Sequence, residues 1–237
     1  MKKIAIMQPY FFPYIGYFQL INAVDIFVIY DNIKYTKKGW INRNRILSNG
    51  KEKLITLPLK KSSDYLPIIQ KELSNNWEKE KIKIINKIKE NYRKAPYFEN
   101  VFPIIENCLN FENINLFYFL MNSINEVIKY LSIGSKIIIS SELNIDHSLK
   151  SEKKVIEICK TLKAEEYLNP IGGIDLYSRK HFKKYKIDLF FLKTNDFEYN
   201  QFNNDFIQFL SIIDIMMFNS QKEIRYFLEN EYSIINN

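Results

Sequence analysis

Apolar residues in this chain come in short blocks set off by polar turns, and the spacing inside each block separates strands from helices. Ile4–Met7 is an apolar run stopped by Gln8-Pro9, which predicts a buried first strand. Ile15–Ala23 follows a proline-containing turn and repeats its apolar residues at helical spacing. Asp25–Tyr30 predicts a second buried strand. Strand, turn, helix and strand within about 30 residues make a βαβ unit and hence a parallel pair.

Asn32–Gly50 is polar, basic and irregular. Asn49-Gly50 marks a turn that pairs Arg45–Leu47 with Leu54–Leu57 as a hairpin, closed by Pro58. Trp77–Tyr92 has the helical period and ends before Ala95-Pro96, and Ile104–Leu131 holds one or two further helices stopped by Gly134. Strands are predicted at Lys136–Ser140, Glu166–Asn169 and Leu189–Leu192. Helices are predicted at Ser151–Leu162 (capped by Ser148 or Ser151), Leu176–Tyr185 and Phe206–Phe218, and the tail Lys222–Asn237 adds another. This alternation predicts an α/β fold: a Rossmann-like, doubly wound, mostly parallel sheet with added helices. No composition shift divides residues 1–237, so one domain is expected, with the helical block 77–131 as a cap.

Composition then narrows the function classes. The 18 Phe, 16 Tyr and 2 Trp supply both core volume and flat or hydroxyl-bearing surfaces for a cleft. Only 6 glycines argue against a long glycine-rich phosphate loop. The net charge of +7 would draw nucleic acid, anionic lipid or a pyrophosphate, although the general abundance of lysine, isoleucine and asparagine accounts for most of it. Cys108 and Cys159 lie in apolar helical contexts with neither metal nor disulfide spacing, and His147 and His181 have no ligand partners at fixed spacing. No metal and no cofactor are therefore expected. Reduced cysteines, an N-terminal apolar run too short for a secretory signal and no membrane-length segment point to the cytoplasm.

Candidate chemistry gathers where the predicted parallel strands end, because open α/β sheets bind ligands beyond the carboxyl ends of their strands. The turn after the first strand offers Gln8, Tyr10, Tyr14, Gly16 and Tyr17. Gly16 at the helix start would let a phosphate approach the free amides. Tyr14-Ile15-Gly16-Tyr17 resembles the His-Ile-Gly-His signature of nucleotidylyltransferases and class I aminoacyl-tRNA synthetases, with both histidines replaced. Neutral tyrosines cannot supply imidazolium stabilisation, so this likeness speaks for nucleotide binding more than nucleotidyl transfer.

After the second strand, Asp31 is placed as a base or a sugar ligand. Arg43 and Arg45 would clamp a diphosphate, Asn42 and Asn44 would meet hydroxyls, Trp40 would stack on a ring, and Lys37 is a further substrate-binding candidate. Ser140, Ser141 and Glu142 end another predicted strand, as phosphate or acceptor ligands or as a simple cap. Asn169 to Asp175, with Gly172-Gly173, is either a ligand turn or a strand-to-helix turn capped by Asp175. Ser211 and Asp214, three apart on one helix face, are either a site wall or a core hydrogen bond.

Gln8-Pro9-x-x-Phe-Pro-x-x-Gly-Tyr, then Asp25-x-Phe-Val-x-Tyr-Asp, then Lys37-x-Gly-Trp-x-Asn-Arg-Asn-Arg-Ile resemble the WbqC-like family. The likeness continues at Lys94-Ala95-Pro96-Tyr97-Phe98, at Ser140-Ser141-Glu142-Leu143 and at Phe209-Leu210-Ser211-Ile212-Ile213-Asp214, and departs at Ser220, where a glycine is expected. The resemblance implies a role in O-antigen or other surface-glycan biosynthesis, near amino-sugar modification. The expected activity is a transferase acting on a nucleotide-diphosphate amino sugar, by N-acyl or aminoacyl transfer, with Asp31, Glu142 or Asp214 as the base. The acyl donor stays open, an aminoacyl-tRNA included, as does a homodimer. A non-catalytic nucleotide-sugar or glycan binder is the competing reading. A glycosyltransferase or nucleotidylyltransferase is a third, weakened by the lack of a metal-chelating Asp-x-Asp near a strand end.

Overall fold

The computed structural model describes residues 1–202 and 205–236. The central sheet has six strands in the order β5-β2-β1-β6-β7-β8. These are β1 Lys3–Met7, β2 Ile26–Ile29, β5 Lys136–Ile139, β6 Glu166–Pro170, β7 Asp188–Thr194 and β8 Tyr232–Ile235. The first five run parallel, with Ile4 beside Ile26 and Ile26 beside Lys136, and β8 closes the edge antiparallel to β7. Strand order reverses between β1 and β6, and the site-bearing loops leave the sheet at these carboxyl ends.

Alternation along the strands buries both faces. Ile4, Ile6, Val28, Tyr167, Leu189 and Phe191 pack against α5 (Ser151–Thr161) and α6 (Arg179–Lys183). Ala5, Phe27, Ile29, Leu168 and Leu192 face the larger core, shared by α1 (Ile15–Asn22), α2 (Trp77–Tyr92), α3 (Phe98–Leu109), α4 (Leu116–Tyr130), α7 (Ile212–Phe218) and α8 (Gln221–Asn230). Helices on both faces of a mostly parallel sheet make this a doubly wound, Rossmann-like α/β fold. β3 (Arg43–Ser48) and β4 (Lys51–Thr56) form a separate antiparallel hairpin around Asn49-Gly50.

Several boundaries differ from the periodic reading. The helix expected over Phe206–Phe218 begins only at Ile212, because Phe209 takes a positive φ of 57° and Ser211 caps the helix by accepting from the Ile213 amide. Ser211 and Asp214 therefore do not share a helix face: Ser211 stands outside the helix. Neither Ser148 nor Ser151 caps α5, whose cap position is Lys150 and has no side-chain bond. Leu176–Tyr185 divides into a 3-10 turn over Ile171–Leu176 and the short α6, with Ser178 rather than Asp175 at the cap position. The tail contributes α8 and the unexpected strand β8; Asn237, at its end, lies outside the described residues. Ser220, the departure from the family pattern, closes a capping box with Glu223 at the start of α8.

Candidate functional site

The loop leaving β1 is bolted to the β3–β4 hairpin and to the start of α7. Phe11 and Phe12 are buried in the core, and Phe12 takes a left-handed φ of 40°, costly for an aromatic residue. Its carbonyl accepts from the Asn44 side-chain amide at 2.7 Å and from the Ser211 hydroxyl at 2.8 Å. Asn44 also donates to the Phe11 carbonyl at 3.1 Å. The Ile212 amide donates to the Pro13 carbonyl at 3.0 Å, and the Ser211 amide to the Arg45 carbonyl at 2.8 Å. Three segments far apart in sequence thus hold one loop rigid.

On its outer side this loop forms a cavity of about 310 Å³ lined by Tyr10, Pro13, Tyr14, Trp40, Asn44, Arg45 and Phe209. The Gln8 side-chain amide donates to the Tyr10 hydroxyl at 2.9 Å, and the Tyr17 hydroxyl donates to the Gln8 carbonyl. Burial raises the pKa of both Tyr10 and Tyr14, so at neutral pH they present neutral hydroxyls. Gly16 sits under this wall. A Cβ there would come within 2.5 Å of Thr194 Oγ1 and overlap the Tyr14 ring, so its smallness is used by the protein's own packing.

The two arginines diverge. The Arg45 guanidinium lies 5.1 Å from the Trp40 ring, pairs with Glu52 at 2.6 Å and donates to the Phe209 carbonyl at 3.2 Å. Its Nε is buried and has no hydrogen-bond partner among the described residues. Arg43 folds back on its own turn, donating to the carbonyls of Gly39 at 3.0 Å and Lys38 at 2.6 Å. Asn42 points inward, accepting from the Tyr35 hydroxyl and donating to the Leu57 carbonyl. Lys37 is an exposed partner of Asp64.

Asp31 belongs to a second polar cluster, over the ends of β2 and β5. One carboxylate oxygen accepts from the Ser140 hydroxyl at 2.8 Å and the Ser141 amide at 3.0 Å, while the other is buried with no partner among the described residues. Neighbouring Asn32 accepts from Ser140 at 3.0 Å and from the buried Lys154 ammonium at 3.1 Å, and its amide meets the His147 ring at 3.0 Å. Lys154 lies 5.1 Å from the Tyr30 ring, and burial lowers its pKa. Glu142 is exposed at the end of this segment.

Asp214 lies in a third place. It is buried in the large core, where it accepts from the hydroxyls of Tyr92 at 2.7 Å and Tyr199 at 2.6 Å and from the Gln201 amide at 2.7 Å. Burial pushes its pKa up to about 6, and these donors hold it back from rising further. The Asn169 turn is self-satisfied: its side chain accepts from Tyr167, donates to the Pro170 carbonyl and occupies the space a Cβ at Gly173 would need.

The structure therefore brings Tyr10, Tyr14, Trp40, Asn44 and Arg45 to one cavity, with Gln8, Tyr17, Gly16 and Ser211 behind its wall. Asp31, Ser140 and Ser141 form the separate cluster. Sequence reasoning missed Phe209 as a wall, and Asn32 and Lys154 as members of the cluster around Asp31. Lys154 carried a signal: it falls one turn before Ile158, on the apolar face of its helix, where a lysine must find a buried partner. Among the described residues no group of three or more His, Cys, Asp or Glu could hold a metal ion, and no helix is long and apolar enough to cross a membrane.

Comparison with known proteins agrees with these motifs. The profile of the WbqC-like protein family matches residues 8–226, nearly the whole chain, and the chain belongs to that family. An uncharacterized protein of Mycobacterium tuberculosis is 28% identical over 220 residues, covering 91% of this chain and 93% of its own. No solved structure matches.

Proposed function

We propose that this member of the WbqC-like family is a transferase that modifies a nucleotide-linked amino sugar during assembly of a surface glycan. The observation that carries the reading is the cavity joining Tyr10 and Tyr14 to Trp40 and Arg45 at the carboxyl end of the sheet. At about 310 Å³ it is at the small end of ligand pockets, which run to about 1,000 Å³, so it suits one sugar or base ring with its attached phosphate. Trp40 and Tyr14 supply flat faces, the tyrosine hydroxyls supply donors, and the Arg45 guanidinium at the cavity wall meets the anionic phosphate.

In the proposed reaction, the acceptor nitrogen attacks an activated acyl carbonyl. The C–N bond forms, the bond to the donor's leaving oxygen or sulfur breaks, and the nitrogen's proton passes to a base. Asp31 is assigned as that base, which requires the acceptor end of the substrate to reach from the aromatic cavity to the separate cluster that holds its second carboxylate oxygen.

One observation favours the second reading, a binder without turnover: among the described residues, no carboxylate, imidazole, thiol or hydroxyl nucleophile other than tyrosine lines the cavity. Calorimetry with a panel of nucleotide-diphosphate amino sugars, followed by mass spectrometry after adding acyl and aminoacyl donors, tests both. Saturable binding lost in Trp40→Ala together with an acylated product supports the transferase. Binding with no product from any donor leaves the binder, and no binding of any nucleotide sugar removes both.

A further inference from the structure

On the opposite face of the same hairpin lies a larger concavity of about 470 Å³. It is lined by Ser48, Asn49, Lys53, Lys83, Asn86, Lys87, Glu90 and Asn91 and shares no residue with the aromatic cavity. Strand alternation explains the separation. Lys53 pairs with Ile46 in register and points with it toward α2, whereas Arg45 points to the other side. On α2, Lys83, Lys87 and Asn91 follow at intervals of four, and Asn86 and Glu90 form the adjoining row, so one helix face supplies the far wall.

Little of the charge gathered there is compensated within the groove. Three ammonium groups meet one carboxylate among the lining residues. Lys83 and Lys87 are like charges one turn apart, an arrangement that weakens a helix. Lys83 reaches outward to Glu80 at 2.7 Å, Lys87 makes only a long 3.4 Å contact to the Leu54 carbonyl, and Lys53 makes no ion pair among the described residues. Amides and a hydroxyl fill the remaining wall, with no large apolar side chain to recognise a hydrophobic partner.

We infer that this groove is a second ligand site, taking a run of linked phosphates such as an oligonucleotide backbone or an inorganic polyphosphate carries. The lysines neutralise successive phosphates, and Asn49, Asn86 and Ser48 donate to their oxygens.

Fluorescence anisotropy of a labelled single-stranded RNA 12-mer, at several salt concentrations, tests the assignment. Three neutralised phosphates would give a log–log salt slope of about −2. The triple variant Lys53→Gln, Lys83→Gln, Lys87→Gln should lose at least about tenfold in affinity and most of that slope. Lys129→Gln, an exposed lysine on α4, should lose neither. Circular dichroism confirms the triple variant's fold, and the single variant Lys53→Gln, at an exposed position of β4, should show a partial loss if the triple variant fails to fold. Inorganic tripolyphosphate displacing the RNA identifies linked phosphate as sufficient; failure to displace narrows the ligand to the polynucleotide. No RNA binding together with no tripolyphosphate binding overturns the inference. So does an equal loss in Lys129→Gln, which would mean net charge alone is responsible. Because Trp40 and Arg45 take no part, these outcomes are independent of sugar binding at the aromatic cavity.

Discussion

Asn44 donates its side-chain amide to the Phe12 carbonyl at 2.7 Å, and in doing so holds a buried aromatic residue in a left-handed conformation. The bond joins the hairpin to the loop after the first strand. The residues on the outer side of that loop are the ones that wall the cavity. A polar side chain that sequence reading placed on a sugar hydroxyl is, in the fold, the clamp that shapes the wall.

Asn44→Ala should cost about 1–3 kcal/mol, since buried carbonyls of Phe11 and Phe12 lose a donor. Ser211 shares the Phe12 carbonyl, so Asn44→Ala and Ser211→Ala should be non-additive by about 0.5 kcal/mol or more. Urea denaturation of the double-mutant cycle measures the coupling; strict additivity would show that the loop is held by other contacts.

Arg45→Lys keeps a charge but loses the planar fork and the stacking on Trp40. Affinity for a nucleotide-diphosphate sugar should fall about 10- to 100-fold, one to two units of log Kd at about 1.4 kcal/mol each. Arg43→Lys should change it far less, because the Arg43 guanidinium is spent on the carbonyls of Lys38 and Gly39. Calorimetry on the pair decides it, and equal losses would move the phosphate contact off Arg45.

Asp214 sets a pH dependence of stability. Its folded pKa of about 6 lies above the ordinary aspartate value of 3.8, so between these values the native state binds the proton more tightly than the unfolded chain. Its contribution is therefore fully present below about pH 4 and declines as pH rises through 6, by up to about 3 kcal/mol for a two-unit shift. Asp214→Asn should flatten that part of the stability–pH curve. Thermal melts of both proteins from pH 4 to 7 compare the slopes; parallel curves would contradict the assignment.

Lys154→Met tests the cluster around Asp31. Removing one member leaves the Asn32 carbonyl without its donor and the buried Asp31 carboxylate without the neighbouring ammonium, so the melting temperature should fall. If Asp31 acts as the base, turnover should also drop at least about tenfold at a temperature where the variant stays folded. Undiminished turnover would confine the cluster to a structural part.

Tyr92 shows why parts of the molecule escape a linear reading. It closes the predicted helix Trp77–Tyr92, yet its hydroxyl accepts from the Leu47 amide and donates to Asp214, 122 positions away in sequence. Periodicity placed the tyrosine on a buried face and contained nothing about that partner.

What the chain determined alone was local. The first two strands, the helix between them, the Asn49-Gly50 hairpin and α2 follow from period, turn chemistry and proline stops acting over a few residues. The N-terminal motifs likewise marked the family and the rim of the sheet from which its loops emerge. Only the tertiary structure decided which side of the hairpin each basic residue faces, that Phe209 joins the cavity, and that Asp31, Asn32, Ser140 and Lys154 meet across more than a hundred residues. It also decided that Asp214 is enclosed by two tyrosines and a glutamine in the core. Those outcomes depend on long-range packing and on which buried polar groups find partners, and a local repeat carries no information about either.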